Sequence, residues 1–128
     1  MKKFTDLVNE SAKNVTEIFP WDLEERIQEN PSLLILDIRE PYEFSAMHIK
    51  NSINVPRGVL ETACEYEYEE TVAKLVEARD KEVVVACRSG NRSIFACEVM
   101  QKMGYKNVYE LDGGINYGWI DKGYGTVH

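Results

Sequence analysis

The sequence predicts an α/β fold in which helices cover both faces of a parallel β-sheet. Two continuous apolar runs, Leu33–Leu36 and Val83–Ala86, end directly at Asp37 and Cys87, and such runs are typical of strands that are covered on both faces. Helical patterns separate the strand candidates, and this alternation favours parallel strands joined by right-handed crossovers. No repeat or composition break divides the chain, so we expect a single domain over residues 1–128.

The N-terminal residues predict a helix, a short strand and a second helix. Apolar residues at helical spacing indicate a helix over Thr5–Asn14, and Val15–Phe19 is a strand candidate. Pro20 then opens a helix that runs through Ile27, because the fixed φ of proline suits the first helical turn. The helix is expected to stop at Asn30, which precedes a proline.

The rest of the chain continues the alternation. The further strand candidates are Ile53–Val55 and Asn107–Leu111, and the further helical patterns are Pro41–Met47, Glu69–Arg79, Asn91–Met103 and Ile115–Lys122. Ligands of such sheets bind at the carboxyl ends of the strands. We therefore expect Asp37 and Cys87 at the ligand-binding edge.

Composition and charge exclude several classes of function. With 44% apolar and 29% charged residues, the chain has the composition of a soluble globular protein, and we expect a monomer. Its net charge of −7 disfavours binding to nucleic acid or to an anionic membrane. The N-terminus does not resemble a signal peptide, and no apolar run is long enough to span a bilayer.

The cysteines indicate a reducing compartment. The chain has 3 cysteines, Cys64, Cys87 and Cys97, and an odd number cannot all pair in disulfides. Their spacing matches neither a CxxC motif nor a Cys/His metal site. We therefore expect free thiols, a cytoplasmic location, and no metal or other cofactor.

Cys87 is the candidate reactive residue because it heads a short loop between a strand and a helix. The segment Cys87-Arg88-Ser89-Gly90-Asn91-Arg92 must reverse direction in few residues, and Gly90 and Asn91 tolerate left-handed backbone angles. Inward N–H groups, the following helix N-terminus and the two arginines would form an anion-binding concavity around Sγ. Such surroundings favour the thiolate, which is the nucleophilic form. The alternative is an inert cysteine at a strand end beside two solvated arginines.

Several motifs resemble the rhodanese family of sulfurtransferases. They are Asp37 to Phe44 (DIREPYEF), His48-Ile49, Cys87 to Ser93 (CRSGNRS) and Leu111 to Gly114 (LDGG). The resemblance extends from about Trp21 to Gly123, so residues 21–123 form the motif-bearing core and residues 1–20 an extension. It departs at Met47 and Asn51, where the family commonly has glycine, and between Gly114 and Trp119, where four residues stand instead of three.

The resemblance implies a five-stranded parallel sheet and a two-step sulfur transfer. The Cys87 thiolate would take the outer sulfur of a donor such as thiosulfate, becoming a persulfide, and pass it to cyanide or to a thiol. Arg88, Ser89, Gly90, Asn91 and Arg92 would bind the substrate through backbone and side chains. A sulfur carrier or regulatory module with little turnover of free thiosulfate uses Cys87 in the same way and stays open.

A phosphatase or arsenate reductase is the minor alternative. Related phosphatases place the arginine after five intervening residues, whereas only four separate Cys87 from Arg92. The smaller ring suits a sulfur atom better than a phosphoryl group.

Three further residues are supporting candidates. Asp37 is interpreted as an acceptor of loop hydrogen bonds, with a catalytic role as the alternative, and Arg39 is either a site residue or a surface arginine. The resemblance implies that Glu43 pairs with Arg92 and holds the loop in shape; otherwise Glu43 is an exposed carboxylate in the first turn of a helix.

The remaining chemically active residues receive structural interpretations. His48 is a structural residue rather than a general base, because transfer from a stabilised thiolate needs none. Cys97 lies within the apolar stripe of a helix and is interpreted as packing. The acidic segment Glu61 to Glu70 is interpreted as a solvated surface, with docking of a basic partner protein as the alternative.

Overall fold

The computed structural model describes residues 1–128 and is built around one parallel sheet of five strands. The strand order is β1-β5-β4-β2-β3, and every neighbouring pair is parallel. This confirms the α/β fold that the sequence predicts. The strands are β1 (Thr16–Ile18), β2 (Leu34–Asp37), β3 (Ile53–Asn54), β4 (Glu82–Ala86) and β5 (Asn107–Leu111).

Six α-helices, a 3₁₀ turn and a π-helix accompany the strands; the first α-helix precedes the first strand and the π-helix follows the last. Proline occupies the first position of α2 and of α3, where its missing N–H costs no hydrogen bond. The α-helices are α1 (Phe4–Ala12), α2 (Pro20–Glu29), α3 (Pro41–Ala46), α4 (Leu60–Ala63), α5 (Ala73–Val76) and α6 (Arg92–Lys102). The 3₁₀ turn is Arg57–Val59 and the π-helix is Gly114–Ile120.

A separate apolar core lies on each face of the sheet. Val83 and Val85 of β4 point into a cluster of 16 buried residues that includes side chains of α4, α5 and α6. Val84 and Ala86 point the other way, into 9 buried residues that include side chains of α2 and the π-helix. The unbroken apolar sequence of β4 follows from this double coverage.

Helix α1 packs outside α6, next to the edge of the sheet that carries the strand ends. The rings of Phe4 and Phe95 lie 6.2 Å apart. Glu98 accepts hydrogen bonds from Ser11 Oγ at 3.1 Å and Asn14 Nδ2 at 3.0 Å. These contacts place the N-terminal segment beside the loop that precedes α6.

Two predicted helices differ from the structure. The expected helix Glu69–Arg79 is reduced to Ala73–Val76, because Thr71 Oγ1 accepts the Tyr68 N–H and donates to the Glu65 carbonyl, which holds the chain in a turn. The expected helix Ile115–Lys122 is the π-helix Gly114–Ile120. Four residues stand between Gly114 and Trp119, where the family that the sequence resembles has three. The wider turn of a π-helix accommodates the additional residue.

None of the helices combines the length and apolar character that a membrane span needs.

Candidate active site

Cys87 lies at the carboxyl end of β4, between β5 and β2. Ala86, the last residue of β4, stands in register with Asp37 at the end of β2. Both apolar runs therefore end at the same edge of the sheet, as the sequence predicts. Only 4% of Cys87 is exposed.

The loop from Cys87 to Arg92 folds back over the sulfur atom. Gly90 adopts φ +92°, and its N–H donates to Cys87 Sγ at 3.1 Å. The sequence predicts that the sharp turn of the loop uses the conformational freedom of Gly90, and the positive φ agrees with this. The other loop N–H groups make no hydrogen bond to Sγ, so a single backbone donor holds the sulfur where the sequence suggested several.

The π-helix stabilises the start of the loop through backbone hydrogen bonds. The Cys87 carbonyl accepts the Ile115 N–H at 2.8 Å, and the Arg88 carbonyl accepts the Asn116 N–H at 3.0 Å. Gly114 lies so close that a Cβ there would collide with the Cys87 carbonyl oxygen. Gly114 therefore lets the backbone after β5 pack directly against the candidate loop.

A cavity of about 520 Å³ opens above Cys87. Arg88 and Arg92 are exposed at this cavity and form no ion pair with the protein, which leaves their charges available to an anion. Tyr42 is 76% exposed and Phe4 is 51% exposed. The lining residues are Phe4, Ile38, Arg39, Glu40, Tyr42, Glu43, Arg57, Cys87, Arg88, Ser89, Asn91 and Arg92.

Part of this cavity is not evident from the sequence. Phe4 belongs to the N-terminal extension, outside the motif-bearing core, and reaches the cavity because α1 packs on α6. Arg57 lies in the 3₁₀ turn after β3 and pairs with Glu61 at 2.8 Å. The position of Arg57 after a strand end was the one signal that could have placed it at this edge.

Asp37 and Arg39 form a buried ion pair at the end of β2. Arg39 Nη2 lies 2.9 Å from Asp37 Oδ2, and the Arg39 N–H donates to Asp37 Oδ1 at 3.0 Å. Arg39 Nη2 also donates to the Met47 carbonyl at 2.7 Å. The Asp37 carboxylate thus binds Arg39 rather than the Cys87 loop, which corrects the expectation that it accepts loop hydrogen bonds. Its partners are fixed by the turn after β2, which brings Arg39 back onto it.

Glu43 faces the same cavity but does not pair with Arg92. Its carboxylate accepts the Glu40 N–H at 3.2 Å and so completes the capping box of α3. The ion pair that the resemblance implied is absent because this cap already holds the carboxylate.

Two buried residues behind Cys87 were not anticipated. Ser93 Oγ lies 3.4 Å from Cys87 Sγ and 3.0 Å from Glu110 Oε1. Glu110 is only 1% exposed, and burial raises the pKa of its carboxyl to about 8. A carboxylate on the face of β5 that carries the buried Val108 was the available signal.

The other two cysteines are buried away from the cavity. Burial raises the pKa of the Cys64 thiol and, more strongly, that of the Cys97 thiol. Both are fully buried, which agrees with a packing role for Cys97. His48 stacks on Phe44 and its Nδ1 lies 2.7 Å from the Phe44 carbonyl, so it also has a structural environment.

The parallel sheet, which presents one cysteine in a short loop at its carboxyl edge, places the chain in the α/β class of proteins. The rhodanese-like domain model matches residues 20–121, and the chain belongs to this family.

The curated relatives include sulfurtransferases. A putative mitochondrial thiosulfate sulfurtransferase of Schizosaccharomyces pombe is 35% identical over 80% of this chain and 73% of its own length. The thiosulfate:glutathione sulfurtransferase of Saccharomyces cerevisiae is 33% identical over 88% of this chain and 85% of its own length. Other relatives are longer: the chain spans 60% of a putative sulfur carrier protein of Bacillus subtilis and 28% of a tRNA uridine(34) hydroxylase of Pectobacterium carotovorum.

One solved structure matches nearly the whole chain. A Rhodopseudomonas palustris protein of unknown function, described as a possible tyrosine phosphatase, superimposes with a TM-score of 0.88 at 26% identity and covers 99% of this chain and 96% of its own. The similarity to that structure therefore includes the N-terminal helix.

Proposed function

We propose that this protein is a sulfurtransferase that carries sulfane sulfur on Cys87, from thiosulfate or a persulfide donor to a thiol or to cyanide. The observation that supports this most directly is the position of Cys87 Sγ, which faces an arginine-lined cavity and accepts the Gly90 N–H at 3.1 Å. The family membership and the names of the two sulfurtransferase relatives agree with it.

The reaction would proceed by two displacements at sulfur. The Cys87 thiolate attacks the outer sulfur of thiosulfate, the new S–S bond forms, and the donor S–S bond breaks as sulfite leaves with the electron pair. An acceptor thiolate or cyanide then attacks the outer sulfur of the persulfide and returns Cys87 as the thiolate. The Gly90 N–H would stabilise the negative charge on sulfur in both steps.

The charges around the cavity suit an anionic donor. Arg88 and Arg92 are exposed and unpaired, although the chain as a whole carries a net charge of −7. Local positive charge at the mouth of a site raises the concentration of an anion there. The two arginines would therefore attract thiosulfate, although the net negative charge of the protein repels anions.

A sulfur-carrier role is the second candidate, and the size of the cavity favours it. About 520 Å³ exceeds what thiosulfate alone would fill, and the exposed rings of Phe4 and Tyr42 offer apolar contact to a larger donor or acceptor. In that case Cys87 would load slowly from thiosulfate and rapidly from a protein persulfide.

The proposed function is tested by sulfur loading. Purified protein is incubated with thiosulfate, its intact mass is measured, and thiocyanate formation is followed after cyanide is added. We expect the wild type to gain one sulfur atom and Cys87→Ser to gain none, because the hydroxyl cannot form a persulfide. Cys97→Ala is the matched control and should still load, since Cys97 is buried in the packing of α6.

Three results would change the conclusion. Sulfur loading in the Cys87→Ser variant would remove Cys87 from the reaction. A wild type that loads from neither thiosulfate nor a persulfide donor would contradict sulfur transfer itself. Hydrolysis of a phosphate ester that is lost in Cys87→Ser would support a phosphatase instead.

A further inference from the structure

A hydrogen-bonded row of three buried groups leads from Cys87 into the sheet. Cys87 Sγ lies 3.4 Å from Ser93 Oγ, which lies 3.0 Å from Glu110 Oε1. Ser93 comes from the first turn of α6 and Glu110 from β5, so three elements converge on this row. Ser93 is 0% exposed and Glu110 is 1% exposed, so both have little or no contact with solvent.

The number of protons in this row is limited. The Ser93 hydroxyl has one proton, so it donates either to Cys87 Sγ or to Glu110, and it accepts from the other. If Ser93 donates to a Cys87 thiolate, Glu110 must be protonated to donate to Ser93. If Ser93 donates to a Glu110 carboxylate, the Cys87 thiol is the group that donates to Ser93. Each of these two arrangements holds one negative charge, and they differ only in which end of the row carries it.

We propose that Cys87 and Glu110 share one proton through Ser93, so that Glu110 receives the proton that Cys87 releases and acts as a positioning residue for the thiolate. The Cys87 S–H bond breaks, its proton passes to Ser93 Oγ, and the Ser93 hydroxyl proton passes to Glu110 Oε1. The charge of the row stays at one negative throughout, and no further reactant is needed.

The surroundings of Glu110 favour its protonated form. The charged groups near it are Glu17 on β1 and Asp112 just beyond β5, and both are acidic, while Cys97 of α6 is a neutral neighbour. Burial, together with these charges, raises the pKa of the Glu110 carboxyl to about 8, although the hydrogen bond with Ser93 acts in the opposite direction. Gly90 limits the space on the loop side, since a Cβ there would lie 2.9 Å from Glu110 Oε1. A carboxylate in this position would also repel a thiolate on Cys87.

This arrangement would serve both halves of the proposed sulfur transfer, on which its functional meaning rests. The thiolate and the persulfide anion each place one negative charge on the Cys87 side of Ser93. A protonated Glu110 can donate through Ser93 toward either of them without adding a second charge to the buried row.

The test is the pH dependence of Cys87 alkylation, which detects the thiolate without requiring any sulfur transfer. Iodoacetamide modification of the Cys87 peptide is followed by mass spectrometry from about pH 5 to about pH 10 in the wild type and in Glu110→Gln. Two coupled groups titrate in macroscopic steps, so the wild-type rate should rise in two steps more than about one pH unit apart. Glu110→Gln, which keeps the shape but cannot ionise, should rise in one step.

A matched control separates the shared proton from the general effect of charge. Glu17→Gln removes a nearby exposed carboxylate but leaves the row intact, and its profile should keep two steps. Wild-type and Glu110→Gln profiles that superimpose would overturn the proposal, and so would a change in Glu17→Gln as large as that in Glu110→Gln.

A second measurement does not depend on the folding of Glu110→Gln. The side-chain carboxyl carbon of Glu110 can be titrated by NMR in the wild type and in Cys87→Ser, whose hydroxyl does not ionise in this range. We expect two inflections in the wild type and one in Cys87→Ser. Identical curves would contradict proton sharing even if sulfur transfer by Cys87 were established, whereas a failed loading experiment would leave this titration interpretable.

Discussion

Gly90 connects the conformation of the loop with the chemistry of the sulfur. Its positive φ of +92° turns its N–H toward Cys87 Sγ, and its missing side chain leaves room for Glu110 Oε1 behind the loop. A Cβ at this position would also lie 3.0 Å from the Gly113 nitrogen. The residue therefore meets two demands, a left-handed backbone and close contact on both sides.

Gly90→Ala is expected to slow sulfur transfer by about 100-fold, the usual cost of losing one preorganised donor. The added methyl group forces the loop away from Glu110 and withdraws the N–H from the sulfur. The measurement is the rate of thiocyanate formation at saturating thiosulfate. Gly125→Ala is the control, since a Cβ there meets nothing within 4 Å and φ is not positive; equal rates in both variants would contradict the role given to Gly90.

The sequence predicts the loop around Cys87 better than the groups beneath it. The strand end, the glycine and the two arginines lie within one six-residue segment, so local rules place them around the sulfur. Ser93 and Glu110 are 17 residues apart and meet only because α6 packs against β5. The Glu43–Arg92 ion pair was predicted from resemblance and is absent because α3 uses Glu43 for its own cap.

At the scale of elements, the turn between β2 and α3 depends on one buried ion pair. Arg39 is 5% exposed and Asp37 is 1% exposed, and the guanidinium also donates to the Met47 carbonyl after α3. Asn54 of β3 donates to the Asp37 and Arg39 carbonyls at 2.9 Å. These contacts tie together β2, α3 and β3, and the turn that they hold lines the cavity together with α3.

Arg39→Ala should lower the free energy of unfolding by about 3–5 kcal/mol, because it leaves the Asp37 carboxylate buried without its partner. Urea unfolding followed by tryptophan fluorescence measures this change. Arg88→Ala is the matched control: Arg88 is exposed and has no ion pair, so its removal should alter the unfolding free energy by less than about 0.5 kcal/mol. Similar losses in the two variants would show that the ion pair does not hold the turn.

Elements with a repeating apolar pattern were predictable, whereas those shaped by tertiary contact were not. Strands β2 and β4 follow directly from their apolar runs. The helix expected over Glu69–Arg79 shortened to Ala73–Val76 because the Thr71 hydroxyl stabilises a turn. Asn51 stands where the resembled family commonly has glycine. It adopts φ +68°, a left-handed conformation that asparagine tolerates, so the turn can form without glycine.

For the whole molecule, the sheet places a buried carboxyl where it influences both stability and the candidate site. Glu110 lies in β5, which is hydrogen-bonded to β1 and β4 on its two sides. Folding therefore removes nearly all of this carboxyl from water, with the Ser93 hydroxyl as its one hydrogen-bond partner in the protein. Burying the charged form is costly, so the folded protein retains this proton to a higher pH than the unfolded chain does.

The contribution of Glu110 to stability should decrease as the pH rises. Folding raises the pKa of this carboxyl from 4.5 to about 8, so between these values the unfolded chain binds fewer protons than the folded protein. The free energy of unfolding then falls by up to about 1.4 kcal/mol per pH unit within that window. Below the window Glu110 is protonated in both states, so it adds no pH dependence to the stability.

Glu110→Gln removes this titration, so the variant should gain stability relative to the wild type as the pH increases from 4.5 to about 8. Urea unfolding at a series of pH values measures the difference between the two proteins, which cancels the titration of all other groups. Glu17→Gln serves as the control, because Glu17 is exposed. A difference between wild type and Glu110→Gln that stays constant across the window would mean that Glu110 is already ionised in the folded protein, and the carboxyl would then have no proton to share with Cys87.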